Sequence, residues 1–306
     1  LMNYLKWMPR MLQIIIQSKF IYIFTPGHIG LLSALLCWSI NKPYGLYLRG
    51  KWQDHTPLPF QVLGRYIFSK AVFILCISEP ETNLLKELNP NCEFEVPISP
   101  LLFYPVPVYR PCTIDGPVKI LFVGQMIKEK GIFDLVDAVE QLHEVHHLDV
   151  ELLLVGEGTA RITVEHILQE RRMSSYVHCF GMIIDPVQLS HIYQQSDIFC
   201  LPSYSEGFPR VIYEAMLYSL PIVTTDVGQI GAVIEDGFNG LFHAPGDCPS
   251  LTNCLLKLIH DPKLRITLGD SGYKTLEPLL RDWKKRTHGD QVVQWLESYF
   301  RYSATI

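Results

Sequence analysis

The feature that most restricts the fold is a repeated alternation of short apolar runs with amphipathic segments. Apolar runs of this length predict buried strands, and the amphipathic segments between them predict helices. In the first part of the chain the expected elements, strands and helices in turn, are 20–25, 29–40, 44–49, 58–70, 71–77 and 79–88. Such alternation is typical of a mostly parallel, doubly wound α/β sheet.

A proline-rich stretch, VPISPLLFYPVPVYRPC, interrupts the alternation. Because proline fixes φ and lacks a backbone donor, this stretch suits a linker better than a helix or a strand. Beyond it we expect strands at 119–123, 151–155, 177–180, 197–201 and 221–225, with helices starting near 129 and at 159–171, 186–195, 209–219, 229–235, 247–260 and 261–270. We therefore predict two Rossmann-like domains, 1–113 and 114–285, followed by an amphipathic helix within 286–306.

Charge is distributed unevenly along the chain. Residues 1–70 carry eight lysines and arginines but one acid, Asp54, although the whole chain has a net charge of −5. A basic, aromatic-rich segment suits an anionic membrane surface or an anionic acceptor, and a solvated basic face without a partner is the alternative. No uninterrupted apolar run approaches the roughly 18 residues of a membrane span. We expect no signal peptide and a cytoplasmic protein, with peripheral contact to the inner membrane face as a second expectation.

Two segments follow predicted strands at the sheet edge where ligands bind in open α/β folds. In ILFVGQMIKEKG, Gly124 ends a strand and Lys130 opens a helix, so amides and an ammonium group could bind anionic oxygens. A plain turn with a surface lysine is the alternative. In LLLVGEG the glycine pair is incomplete as a dinucleotide motif, which favours a tight turn.

The third segment, LPSYSEGFPRVIYEAMLYSLPIV, carries two acids, Glu206 and Glu214, on either side of an expected helix start at Pro209. Free amides at 208–210 could bind phosphate, and each carboxylate could accept hydrogen bonds from vicinal hydroxyls. Two surface acids on an amphipathic helix are the alternative.

Together these segments resemble the retaining glycosyltransferases of family 4, the glycosyl transferases group 1 with the GT-B fold. LPSYSEGFPRVIYEAM matches the Glu-x7-Glu stretch of that family, LPIVTTDVG its next strand, and GFNGLFHAPGD the loop beyond. The resemblance covers about residues 117–300. It implies two Rossmann-like domains facing a cleft and a closing crossover helix in 286–306.

The resemblance also implies roles for individual residues. Lys130 would hold the donor diphosphate, Glu214 the ribose, and Glu206 the transferred sugar near its anomeric centre, as a catalytic residue. His28 and Arg49 are further catalytic candidates from the N-terminal half. The alternatives are that His28 is an ordinary loop histidine and Arg49 a solvated surface arginine. The donor-binding set is Gly124, Gln125, Lys130, Gly181, Met182, Glu206, Gly207, Phe208, Pro209, Arg210, Val211 and Glu214.

Several residues depart from the family pattern. The arginine expected after the first glycine is Gln125, which brings no charge to a phosphate. The stretch after Asp226 lacks a second glycine and an acid. The family's first strand and glycine-rich loop have no counterpart before Leu1, so we expect an N-terminally shortened first domain, and the chain could be a fragment.

The predicted function is transfer of a sugar, with retention, from a UDP- or GDP-sugar to a polysaccharide or lipid-linked glycan. The alternative is a catalytically weak, sugar-nucleotide-binding subunit of a glycan-assembly complex. A nicotinamide-dependent oxidoreductase is excluded because no complete GxGxxG follows a strand. We expect no cofactor, no metal site and no nucleic-acid partner, and buried reduced thiols for the eight cysteines.

Overall fold

The computed structural model describes residues 2–25, 28–48, 58–76, 79–94, 116–207, 209–283, 292–297 and 300. The chain divides into two compact units, one of Leu1–Pro97 with Asp282–Ile306 and the other of Ile98–Arg281. The predicted domain boundary at 113 and 114 lies outside the described residues. Of the predicted final helix, residues 292–297 are described and are helical.

The first unit contains a parallel sheet of four strands in the sequential order β1-β2-β3-β4. The strands are β1 (Ile21–Thr25), β2 (Tyr44–Leu48), β3 (Ile74–Cys76) and β4 (Cys92–Phe94). The helices are α1 (Met2–Gln17), α2 (His28–Ser39), α3 (Leu58–Lys70) and α4 (Glu79–Lys86). The strands are mostly apolar, as is typical of parallel sheets that helices cover, and β2 is almost entirely buried.

The second unit contains a parallel sheet of six strands in the order β10-β9-β8-β5-β6-β7. Its strands are β5 (Val118–Val123), β6 (Val150–Val155), β7 (Val177–Gly181), β8 (Ile198–Leu201), β9 (Ile222–Thr224) and β10 (Leu241–Phe242). Its helices are α5 (Ile132–Glu144), α6 (Arg161–Glu170), α7 (Pro186–Gln195), α8 (Arg210–Leu217), α9 (Cys248–His260) and α10 (Pro262–Trp283). Both units confirm the predicted α/β class with parallel sheets.

The strand order of the second sheet reverses at β5. The chain adds β6 and then β7 on one side of β5, and it returns to place β8 on the other side, where Ile120 pairs with Ile198. In open α/β sheets, ligands bind beyond the carboxyl ends of the strands at such a reversal. The loops that follow β5 and β8 therefore lie at the most favourable place for a ligand.

Local sequence signals account for the starts of two other helices in this unit and for the buried face of α5. Asp185 caps α7 by accepting a hydrogen bond from Val187 N at 3.1 Å, and Asp247 caps α9 through Ser250 N at 3.0 Å. Helix α5 buries the apolar stripe predicted for it, which consists of Ile132, Leu135, Val136, Val139 and Leu142.

Some expected elements differ from those observed. The expected helix at 229–235 is only a 3-10 turn at Ile230–Ala232, and the helix expected at 261–270 continues to Trp283. Helix α8 begins at Arg210 with Pro209 as its N-cap, so Pro209 is not its first helical residue. The helix expected near Lys130 begins at Ile132, after a 3-10 turn at Lys128–Lys130. Helix α1 and the short strands β4 and β10 were not predicted.

Candidate functional site

An ion pair joins the two loops at the reversal point of the second sheet. Lys130 Nζ, after β5, lies 2.5 Å from Glu206 Oε1, after β8. Ser203 Oγ donates to the same carboxylate oxygen at 2.7 Å. The side chains of Lys130 and Glu206 are 19% and 5% exposed. The structure thus brings together two residues that the sequence analysis assigned to the donor, and it adds Ser203 to them.

Backbone packing explains why these loops meet. Gly131 has a φ of +68°, and a Cβ at this position would overlap the carbonyl oxygen of Pro202. Beside it, Tyr204 N donates to Glu129 O at 2.8 Å. A glycine is required both for the left-handed backbone and for the close approach, so it fixes Lys130 beside Glu206.

The loop after β9 supports the Glu206 segment from another side. Thr225 Oγ1 donates to Ser203 O at 2.6 Å, and Gln229 N donates to Gly207 O at 3.0 Å. Gly228 has a φ of +61°, and a Cβ there would overlap the carbonyl oxygen of Glu206. These contacts hold the backbone at Glu206 and Gly207, whereas the predicted site residue Phe208 lies outside the described residues.

Glu214, the second predicted acid, lies within α8 and is 8% exposed. Its Oε2 accepts a hydrogen bond from Tyr193 Oη at 2.8 Å, so its hydrogen-bond partner differs from those of Glu206. Burial, and then the charge of Glu214, raise the pKa of Tyr193 well above its usual value. The phenol therefore stays protonated and donates to the carboxylate.

The loops after β5 and β6 lie in direct contact, and this contact explains the glycines of LLLVGEG. A Cβ at Gly156 would overlap Gly124 O, and one at Gly158 would overlap Met126 O. Met126 N donates to Glu157 O at 2.9 Å. The two glycines therefore allow the loops to pack closely. Of the predicted donor-binding residues in the first loop, Gly124 is half-buried and Gln125 is exposed.

The other predicted donor-binding residues are spread over two places. Gly181 ends β7, where its carbonyl oxygen accepts a hydrogen bond from Gly156 N at 2.8 Å, and Met182 beside it is exposed. At the start of α8, Pro209 is buried, Val211 is half-buried and Arg210 is exposed.

Tyr204 and His243 lie close to the same loops. Tyr204 Oη donates to Asp134 Oδ2 at 2.6 Å, and this hydrogen bond, followed by burial, raises the pKa of Tyr204 to about 12. His243 follows β10 and is buried, and its burial lowers the pKa of its imidazole. The sequence analysis named neither residue, nor Tyr193, because their contacts come from segments distant in the chain.

The catalytic candidates of the first unit stay as predictions. His28 is the first residue of α2, but its side chain is not among those described, and Arg49 lies outside the described residues. Within the ranges that are described, no three His, Cys, Asp or Glu side chains are grouped to hold a metal ion. Of the helices in those ranges, none has the length and apolar character needed to cross a membrane.

The arrangement offers complementary chemistry for a charged, hydroxylated ligand. An ammonium group and a serine hydroxyl lie at the carboxyl ends of the central strands, where they can donate to anionic oxygens. Two carboxylates lie before and within α8, and each can accept hydrogen bonds from hydroxyl groups.

Comparison with known proteins supports the same interpretation. An uncharacterized glycosyltransferase of Methanocaldococcus jannaschii is 29% identical over 278 residues, which cover 89% of this chain and 73% of that protein. A putative teichuronic acid biosynthesis glycosyltransferase of Bacillus subtilis is 27% identical over 157 residues, 51% of this chain but only 37% of that protein.

The fold is also found among solved structures. The structure of Anabaena HepE in complex with UDP matches with a TM-score of 0.68 at 17% identity, over 97% of this chain and 81% of that one. This likeness confirms the predicted GT-B type of α/β fold. The family model of glycosyl transferases group 1 matches residues 113–275, which include every strand of the second sheet. The chain therefore belongs to the glycosyl transferases group 1 and is a glycosyltransferase that acts on sugar donors.

Proposed function

We propose that this protein transfers a hexose, with retention of anomeric configuration, from a UDP- or GDP-sugar to a polysaccharide or lipid-linked glycan. The observation that carries the proposal is the Lys130–Glu206 pair at the strand-order reversal of the second sheet. The relative in teichuronic acid synthesis and the UDP-bound neighbour support the acceptor class and the donor class.

In this proposal Lys130 and Glu206 bind different parts of the donor. The Lys130 ammonium binds the diphosphate, and the neighbouring Glu206 carboxylate accepts hydrogen bonds from hydroxyls of the sugar. Because the ammonium lies between the carboxylate and the phosphates, it offsets the repulsion between these anions. Gly207, Phe208, Pro209, Arg210 and Val211 line the phosphate and sugar, Gly124, Gln125, Gly181 and Met182 line the rest of the donor, and Glu214 binds the ribose.

The reaction breaks the bond between the anomeric carbon and the diphosphate oxygen and forms a bond to the acceptor oxygen on the same face. The acceptor proton passes to the leaving phosphate, so no protein nucleophile is needed. Lys130 and nearby backbone amides stabilise the charge that develops on the diphosphate, which assigns no role to a metal ion. His28 and Arg49 are proposed to act from the acceptor side.

The donor role of Lys130 is tested by Lys130→Ala with Lys128→Ala as its control. Lys128 lies in the same 3-10 turn and is exposed. Calorimetry with UDP and GDP should show that Lys130→Ala loses about 1.5–3 kcal/mol of binding free energy, because a charge-assisted hydrogen bond to phosphate is removed. Lys128→Ala should bind like the wild type. Equal affinities in both variants would remove Lys130 from the donor site.

The alternative function is a sugar-nucleotide-binding subunit with weak catalysis. Gln125 favours it, because this exposed neutral side chain stands where the family pattern has an arginine. Donor hydrolysis and transfer, measured in the presence of EDTA for the wild type and Glu206→Gln, separate the two functions. Turnover that Glu206→Gln abolishes supports the transferase, whereas tight nucleotide binding without turnover on any glycan or lipid-linked acceptor supports the subunit.

We also propose that residues 1–70 contact an anionic membrane surface, which would place the protein at the inner face of the cytoplasmic membrane. Exposed apolar side chains occur near the ends of the first three helices, at Ile14, Ile16, Trp38 and Tyr66. Lys70 Nζ lies 5.6 Å from the ring centre of Tyr66, which places a cation beside an exposed aromatic ring. Apolar side chains with adjacent cations suit a negatively charged lipid surface.

A further inference from the structure

One fully buried phenol contacts the second carboxylate of the site. Tyr193 lies in α7, and its Oη donates to Glu214 Oε2 across the boundary between α7 and α8 at 2.8 Å. The hydroxyl group is the only polar group of this side chain, and the side chain is fully buried. The hydrogen bond therefore determines where one oxygen of the Glu214 carboxylate lies.

Aromatic packing fixes the Tyr193 ring. Tyr193 stacks on Tyr218 with ring centres 5.1 Å apart and an interplanar angle of 9°, and on Phe199 of β8 at 6.1 Å and 22°. Tyr218 is itself held by its Oη, which donates to Ser190 Oγ at 2.7 Å. A side chain locked by packing in this way can orient its hydrogen-bond partner accurately.

In this hydrogen bond Tyr193 is the donor and Glu214 the acceptor. Burial and the adjacent carboxylate raise the pKa of Tyr193, so the phenol retains its proton. A neutral donor stabilises the Glu214 carboxylate without forming a competing ion pair. The carboxylate thus stays available as an acceptor for hydroxyl groups. A lysine or an arginine at position 193 would instead compete with those hydroxyl groups for the carboxylate.

We propose that Tyr193 is a positioning residue that orients the Glu214 carboxylate toward the ribose hydroxyls of the nucleotide. This inference rests on the proposed function, in which Glu214 binds the ribose. Because the Tyr193 side chain is fully buried, we expect removal of its hydroxyl to affect the donor only through Glu214. Its effect must therefore depend on the presence of the ribose hydroxyls, whereas a purely structural hydrogen bond would show no such dependence.

The test compares Tyr193→Phe with Tyr218→Phe, which removes from the same aromatic stack the hydroxyl of a half-buried residue that donates to Ser190 and not to the Glu214 carboxylate. Calorimetry uses UDP and 2′,3′-dideoxy-UDP, and GDP with its dideoxy analogue. For whichever nucleotide binds, Tyr193→Phe should weaken the ribonucleotide about tenfold and leave the dideoxynucleotide unchanged. Tyr218→Phe should alter neither affinity. When Tyr193→Phe is introduced into the Glu214→Gln variant, the further loss of ribonucleotide affinity should be smaller than the loss it causes in the wild type.

Three results would overturn the inference. The first is a loss of affinity that Tyr193→Phe and Tyr218→Phe share for both nucleotides. The second is an unchanged ribonucleotide affinity in Tyr193→Phe while Glu214→Gln weakens it. The third result applies if the Tyr193→Phe protein does not fold. It is an equal loss of affinity for the ribonucleotide and the dideoxynucleotide in Glu214→Gln. Absence of binding by the wild type to either nucleotide would instead contradict the proposed function and, with it, this role.

Discussion

His243 follows β10 directly, and its imidazole is buried beside the loops of the candidate site. Its Nδ1 lies 2.9 Å from Ala244 O, and Asp134 and Asp247 are the nearby charged groups. Burial lowers the pKa of His243 more than these two acids raise it, so the folded protein favours the neutral ring.

Stability should therefore depend on pH through this residue. Because the pKa of His243 is lower in the folded state than in the unfolded chain, its contribution is present above the unfolded pKa of about 6.5 and is lost as the pH falls. Urea unfolding between pH 8 and pH 5 should show a declining free energy, to which one histidine adds a slope of at most about 1.4 kcal/mol per pH unit. The variant His243→Gln should have a smaller slope. An identical slope in both proteins would refute this role.

The sequence predicted Lys130 and Glu206 on loops after strands and Glu214 within the helix that follows, because distinctive motifs carry these residues. It did not identify Ser203, although this residue lies three positions before Glu206. Ser203 donates to the same oxygen of the Glu206 carboxylate as Lys130 does. Tyr193 was missed because its contact with Glu214 depends on how α7 packs against α8. Motif spacing predicts candidate ligand-binding residues, but the residues that hold them in place are determined by packing.

At the scale of elements, the site depends on how closely the loops after β5 and β8 approach each other. Gly131→Ala should separate these loops, because its Cβ would overlap Pro202 O and the left-handed backbone would be strained by about 1–2 kcal/mol. Gly237→Ala is the matched control, since Gly237 has a φ of +74° and no atom lies within 4 Å of an added Cβ.

Both alanine variants should lose unfolding free energy in urea titrations, and Gly131→Ala should lose more, by at least about 1 kcal/mol. Only Gly131→Ala should also weaken UDP or GDP binding in calorimetry, because it displaces Lys130 from Glu206. Equal stability losses together with unchanged nucleotide affinity would show that the contact between the loops does not build the site.

The longer strands of the second sheet were predicted well because burial on both faces leaves a continuous apolar run, as in the ILFV of β5 and the LLLV of β6. Strand β10 spans only two residues and β4 only three, which is too short for any periodic signal. The helix expected at 229–235 is a 3-10 turn because its residues pack as a loop: Gln229 N bonds to Gly207 O and Gly231 abuts Asp226. Tertiary contacts here outweigh local helix propensity.

At the scale of the whole molecule, the basic character of residues 1–70 predicts association with anionic vesicles. Removal of two exposed cations, in Arg65→Gln/Lys70→Gln, should weaken this association by about 2 kcal/mol. The charge-matched control, Lys257→Gln/Lys263→Gln, changes two exposed lysines of the second unit and should have little effect.

Sedimentation with vesicles of anionic or zwitterionic lipid, at low and high salt, provides the measurement. Association should require anionic lipid and decrease as salt screens the charges. Equal association with both lipids, or no response to salt, would contradict the membrane proposal.

The reversal of strand order at β5 has a consequence for how the molecule forms during translation. Strand β5 can pair with β6, and β6 with β7, as soon as these are synthesised, but the other edge of β5 stays open until β8 emerges, 78 residues after Ile120. Closing so long a segment is entropically costly and slow, so this pairing is expected late in folding. Donor recognition would then mark the completion of the central sheet, and a nascent chain that ends before β8 would expose an unpaired strand edge to chaperones or aggregation.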